Sequence, residues 1–204
     1  MRGAWLTEET DMKRDQKAAA FLVLSVALSS ALVPVPMWAT VQVLPETILL
    51  MEEKKVTGQS WLLRHPVVTG LLAAFEHAES ALKKEDIDAL MQFYAPSYDY
   101  HGLKEDDVRR VWAEVFEHYK ALESLHLFSD IKVSRVSDGF RAEVTCTGGL
   151  YGIDEHSGDR VTLDSWFREV HHLVKEGDAW RFVGNAGNVP AAAPFASAPH
   201  HPLF

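Results

Sequence analysis

A chain of 204 residues, 47% hydrophobic and 24% charged, has the composition of an ordinary globular protein, with room for one domain and flanking segments. Its formal net charge of -9 leaves no basic face to neutralise phosphates, which excludes general nucleic-acid binding. A single cysteine, Cys146, excludes an intramolecular disulfide, and no Cys/His spacing of the structural zinc type occurs.

Met12 to Lys17 is a short, mostly basic opening, and the run Ala18 to Val33 carries no charge. Pro34 and Pro36 break that run, and Met37-Trp38-Ala39 places a small residue where a signal peptidase would cut. Residues 1–39 therefore read as a secretory signal peptide, with Met12 as an alternative start. The other reading is an uncleaved anchor through residues 18–39, nearly long enough to span a bilayer. The first puts the protein in the periplasm or outside the cell; the second ties it to a membrane, which is the only membrane contact expected. Residues 40–65 mix apolar Ile48-Leu49-Leu50-Met51, charged Glu52 to Lys55 and apolar Trp61-Leu62-Leu63. They read as an N-terminal arm holding a short helix or strand packed on the domain.

Pro66 suits a first helical turn, after which Val67, Val68, Leu71, Leu72, Phe75, Ala78 and Leu82 recur at helical spacing. Lys83-Lys84-Glu85-Asp86 interrupts the stripe, and Ile87, Leu90, Met91 and Tyr94 form a second, shorter one stopped by Ala95-Pro96. A third helix starts near Lys104, with Val108, Val111, Trp112, Val115, Tyr119 and Leu122 as its stripe and acids early, where the helix dipole favours them. The period then changes. Leu125 to Ser137, Phe140 to Gly152, Val161 to Lys175 and Ala179 to Asn185 are rich in Val, Thr, Phe and Trp, with turn residues at Ser137-Asp138-Gly139, Ser157-Gly158-Asp159 and Lys175 to Asp178. Such short turns join antiparallel neighbours. The fold class is thus α+β over residues 66–187: three N-terminal helices packed on a curved, mainly antiparallel sheet of four or more strands. These layers make a cone-shaped barrel whose interior suits a small molecule. Gly148-Gly149 and Gly152 mark a bulge or bend in the sheet. Residues 188–204, proline-rich and without period, read as a disordered tail, and His200-His201 on it make a poor metal site.

The segment ALKKEDIDALMQFYAPSYDYHG (Ala81 to Gly102), the aromatic-bearing third helix and GDAWRFVGN (Gly177 to Asn185) as closing strand resemble the nuclear transport factor 2-like superfamily, in particular its SnoaL-like and ketosteroid-isomerase-like domains. The resemblance covers roughly Pro66 to Asn185. It implies the cone-shaped barrel and a homodimer through the outer sheet face. The superfamily holds isomerases, cyclases, hydratases and non-catalytic binding proteins; its isomerase-like branch uses a carboxylate base with a tyrosine and a protonated acid in an apolar cavity.

Candidate pocket residues are Tyr94, Tyr98 and His101 on the exit from the second helix, Trp112 on the third, and Trp166 and His172 on the third strand. Asp99, Asp164 and Glu143 are the carboxylates expected nearest the cavity, Asp99 being read as a solvated loop acid. A period of two places Asp164, Trp166, Arg168, Val170 and His172 on one face of that strand and Ser165, Phe167, Glu169, His171 and Leu173 on the other. Adjacent His171 and His172 then point to opposite faces and cannot chelate one ion, so no metal and no cofactor are expected. Cys146 has no basic neighbour in sequence and reads as a buried, inert thiol. The function expected first is an exported small-molecule-binding or accessory domain for an apolar or carbonyl-bearing ligand. The alternatives are a cofactor-free isomerase- or cyclase-like enzyme using acid–base chemistry, and a structural or interaction domain with a filled interior.

Overall fold

The computed structural model describes residues 40–100 and 102–186. The signal-peptide or anchor segment 1–39, His101 and the tail lie outside the described residues. Among the described residues no helix is long and apolar enough to cross a membrane.

The strand-like half of the sequence forms β3 (Tyr119–Val136), β4 (Gly139–Asp154), β5 (Arg160–Glu176) and β6 (Ala179–Ala186). Each pairs antiparallel with the next. The turns fall where the sequence marks them, and Gly139 (φ 135°) and Gly177 (φ 60°) supply the backbone conformations that residues with a Cβ resist.

Two further strands come from the segment read as an arm. β1 (Val41–Met51) lies parallel to β3 and β2 (Lys54–Val56) antiparallel to β1, giving one six-stranded sheet in the order β2-β1-β3-β4-β5-β6. The arm is therefore part of the domain, and Val41, Val43 and Leu49 bury their side chains in its core. Its strand period is hidden because pairing with β3 shifts register between Val43 and Ile48, around exposed Pro45 and Glu46.

The helices are α1 (Gln59–Leu62), α2 (Pro66–Lys83), α3 (Ile87–Met91) and α4 (Glu105–His118). α2 opens with Pro66 in its first turn and His65 Nδ1 accepting from the Val67 amide at 3.3 Å. Asp86 caps α3 by accepting from the Ala89 amide at 3.0 Å, and Asp107 accepts from the Lys104 amide at 2.7 Å to start α4. The apolar stripe of α2 lies against the sheet, where the Phe75 ring meets Phe128 of β3 edge-on at 5.1 Å. α4 stops at His118, one turn earlier than its stripe suggests. Tyr119 is already extended and Leu122 belongs to β3; its inward spacing happens to continue the helical one. Ala121 at φ 49° and a register shift between Lys120 and Glu123 mark the join.

The chain leaving α3 is bound to the last strand. Phe182 donates its amide to the Phe93 carbonyl and accepts from the Ala95 amide, both at 2.8 Å. This pins the tyrosine-bearing segment against β6 and turns its side chains into the core.

Candidate functional site

The inner face of the sheet, the one covered by α2, carries polar groups where packing alone would place apolar ones. Glu79 comes from α2, Ser124 and His126 from β3, Cys146 from β4, and Glu169 and His171 from β5; all are buried. The rings of Phe75, Trp166 and Phe182 enclose them: His126 lies 4.9 Å from Phe75 and 5.1 Å from Trp166, and His171 lies 5.7 Å from Phe182. Buried polar groups of this kind are retained only where partners satisfy them.

The partners form an ordered chain. Glu79 Oε1 accepts from the Ser124 amide at 2.8 Å and from the Ser124 hydroxyl at 2.7 Å. With its proton given to Glu79, Ser124 Oγ accepts from His126 Nε2 at 3.0 Å, so His126 Nδ1 keeps its lone pair and faces Cys146 Sγ at 3.8 Å. The Trp166 indole N–H donates to the same sulfur at 3.3 Å. On β5, His171 Nδ1 donates to Asn185 Oδ1 at 2.7 Å, which leaves Nε2 as the basic nitrogen. Burial, reinforced by His171, holds His126 well below the ordinary histidine range, and burial pushes the Cys146 thiol up to about 12. A thiol in that state is a poor nucleophile.

A second group lies at the α3 exit. The Trp112 indole N–H donates to the Tyr94 hydroxyl at 2.8 Å, and the Tyr94 and Tyr98 rings meet edge-on at 5.3 Å. Burial raises Tyr94, Tyr98 and Tyr100, the last to about 12; the negative charge of Glu169 adds to the rise at Tyr98 and Tyr100. All three phenols therefore stay protonated and keep a hydrogen to donate. Glu169 is 2% exposed. It adds a buried acid from the sheet to the same interior.

The candidate residues named from sequence separate under this geometry. Tyr94, Tyr98, Trp112 and Trp166 are all buried in the interior. Tyr94 and Tyr98, named as pocket candidates, are core wall, because the bonds between Phe93, Ala95 and Phe182 hold the segment down. His101 lies outside the described residues. His172 points the other way, opposite Glu143 in the register, and is half-buried; burial and nearby Arg141 lower its pKa. The two adjacent histidines do face opposite sides, but the inward one is His171. The reason is a bulge: Cys146 pairs with Glu169 and Gly148 with Trp166, so Phe167 and Arg168 together oppose Thr147. Arg168 takes φ 52°, its amide donating to Thr147 Oγ1 at 3.0 Å, and both bulged side chains are exposed, Phe167 by 80%. One extra residue inverts the alternation beyond it. The period-two grouping therefore holds at Trp166 and reverses at Glu169, His171 and Leu173.

The expected acids fare similarly. Asp99 is exposed and paired with Lys104, and Glu143 pairs with Lys132 at 3.2 Å on the outer face. Asp164 is half-buried and adds to the rise at Tyr100, while Glu79 and Glu169 are the acids that reach the interior. Glu79 had a legible signal: it lies four residues after Phe75 and three before Leu82, within the apolar stripe of α2. Ser124 and His126 share the alternation of Leu122 and Phe128, but only the position of β3 in the sheet shows that this face is the inner one. An open groove of about 400 Å³ on the opposite face is lined by Leu50, Asp130, Lys132, Glu143 and Val170.

No family model matches the chain, and no curated protein matches it. Solved structures do. A conserved protein from Planctomyces limnophilus superposes with a TM-score of 0.50 at 12% identity, over 61% of this chain and 96% of that one. A ketosteroid isomerase-like protein from Erwinia carotovora atroseptica gives a TM-score of 0.43 at 18% identity, over 56% and 89%. A Bdellovibrio bacteriovorus protein gives 0.43 at 13% identity, over 58% of this chain, which spans only 39% of that protein. At such identities the likeness is one of fold. With its α+β layers and its curved, mainly antiparallel six-stranded sheet, the chain shares its fold with the Planctomyces limnophilus protein.

Proposed function

We propose that the domain binds a small, largely apolar, carbonyl-bearing molecule against the inner face of its sheet. The observation that carries this reading is Glu169, an acid only 2% exposed among the aromatic rings and polar groups of the inner face, whose charge bears on the phenols of Tyr98 and Tyr100. Protonated phenols donate to a carbonyl oxygen, and aromatic surroundings strengthen each such bond. A purely structural interior would have no use for a carboxylate there.

The same observation favours a second reading, a cofactor-free isomerase- or cyclase-like enzyme. Glu169 would take a proton from the carbon next to the carbonyl, and the phenols would hold the oxygen as negative charge develops on it. One set of experiments separates the readings. Small apolar ketones should quench the fluorescence of the buried tryptophans saturably. If the site is catalytic, their α-protons should exchange into deuterated solvent, and Glu169→Gln should abolish exchange while keeping quenching. Quenching without exchange leaves the binding domain. Absence of saturable quenching by any ketone overturns both in favour of a structural domain.

Export and a homodimer through the outer sheet face accompany this proposal. Cleavage after Ala39 would leave β1 whole, since it begins at Val41. The exported protein should therefore start near Thr40 on Edman sequencing; an intact Met12 would favour the anchor. Exposed Phe167 and Leu50 on the outer face suit a partner copy. Phe167→Glu should lower the molar mass measured by light scattering; an unchanged mass would remove that face from the interface.

A further inference from the structure

We propose that His126, Cys146 and His171 form a buried metal site for a borderline-soft first-row cation, with Zn2+ the ion to test first. The proposal does not rest on the ketone-binding reading. One potential ligand atom from each residue lies within 4.8 Å of the other two, and all three residues are buried. They come from three neighbouring strands, β3, β4 and β5, so the sheet holds their backbones in fixed relation. In a tetrahedral zinc site with bonds of about 2.0–2.3 Å, ligand atoms stand about 3.5 Å apart. Each side chain would have to close by about 1 Å or less, which small torsional changes supply.

The surroundings match what a metal-bound histidine requires. Such a histidine donates its other ring N–H to an oxygen, which fixes the tautomer and aims the lone pair. Both do so here: His126 Nε2 to Ser124 Oγ, backed by Glu79, and His171 Nδ1 to Asn185 Oδ1. Each remaining nitrogen carries a lone pair, and His126 Nδ1 directs its own toward the sulfur. The Trp166 indole N–H on Cys146 Sγ is the kind of bond that stabilises a thiolate. Two imidazoles and a thiolate suit zinc or copper and disfavour magnesium or calcium, which take oxygen ligands. On binding, the S–H bond breaks, its proton leaves to solvent and the sulfur–metal bond forms; the imidazoles donate lone pairs without losing protons. Nothing is oxidised or reduced.

The test titrates the purified full-length chain with Co2+ as a spectroscopic stand-in for Zn2+. One equivalent should bind and give the near-ultraviolet thiolate-to-cobalt charge-transfer band with tetrahedral visible bands, and Zn2+ should displace it. Cys146→Ser should lose the charge-transfer band. Ser124→Ala, which touches no ligand atom of the metal, should keep the band with an affinity about 10–100-fold lower. The double variant His200→Ala, His201→Ala should change nothing. Absence of the band in folded wild-type protein overturns the proposal, as does binding that survives Cys146→Ser or vanishes with His200 and His201. Circular dichroism establishes that each variant is folded, and Ser124→Ala supplies a second route should Cys146→Ser unfold. Ketone quenching in the same preparations keeps the two ideas apart: quenching without metal binding defeats only the metal site, and the converse only the ligand reading.

Discussion

The two faces of the same sheet use similar residues to opposite ends. Outside, Lys132 and Glu143 pair at 3.2 Å and Arg168 and Asp130 at 3.5 Å, all with side chains well exposed to water. Inside, Glu79, Ser124, His126, His171 and Asn185 make short, directional bonds among aromatic rings. Water can replace a partner lost from the outer face, so those pairs contribute little. It cannot do so inside, where losing one partner leaves the other buried and unsatisfied. The difference shows where specificity resides: the outer face carries solvated ion pairs, and the inner face holds chosen groups in chosen tautomers.

Substitutions of graded severity test this contrast, read as changes in urea-unfolding free energy. Phe75→Ala should have the largest effect, about 3–5 kcal/mol. Its ring contacts Phe93, His126 and Phe128 at centroid distances of 5.0, 4.9 and 5.1 Å, so the loss removes the cover of the inner face. A cost under about 1 kcal/mol, well below that range, would mean the interior is loosely packed and the contrast fails. Ser124→Ala comes next, at about 1–3 kcal/mol, because Glu79 and His126 lose the hydroxyl between them. Lys132→Ala on the outer face should cost at most about 1 kcal/mol, and less at high salt. Equal effects from Ser124→Ala and Lys132→Ala would erase the distinction.

The smallest effect is a pH dependence on the exposed surface. Asp154 accepts from the Ser157 and His156 amides at 2.8 and 2.9 Å, and these bonds hold its carboxyl below the usual range. Asp99 is lowered by its bond from Lys104. A folded-state value below the unfolded one gives stability that is present above the unfolded value, near about 3.9, and lost as pH falls through the folded one. Asp154→Asn should therefore flatten the stability curve only at acid pH, below about 4, leaving neutral pH untouched. A difference confined to neutral pH would contradict the assignment.

The antiparallel strands, their turns and the α+β order were legible locally, because helix and strand periods and turn residues such as Gly139 and Gly177 act over a few neighbours. So were the apolar stripe of α2 and the burial of Trp112 and Trp166. β1 stayed undecided between helix and strand because Pro45 and Glu46 interrupt its alternation, and the end of α4 was overrun because Leu122 continued the helical spacing by coincidence. The interior site was barely visible. Glu79 could have been suspected from its place in the stripe, whereas a period of two separates Glu169 and His171 from Trp166, with which the bulge unites them.

What the sequence determined by itself was the succession of elements, since that depends on propensities and periods within each segment. Which side chains meet was decided only by tertiary structure. The glycines at 148 and 149 signalled a bulge, but its consequence falls on the neighbouring strand. A Cβ at Gly148 would lie 1.8 Å from the Leu125 carbonyl oxygen, so β4 approaches β3 there with no room for a side chain. Across the same step β5 fits two residues, Phe167 and Arg168, opposite Thr147. That count is set by pairing between strands and cannot be read from β5 alone, yet it turns His171 inward to meet His126 and Cys146. Side chains distant along the chain become one site because a single extra residue reverses the parity of a strand.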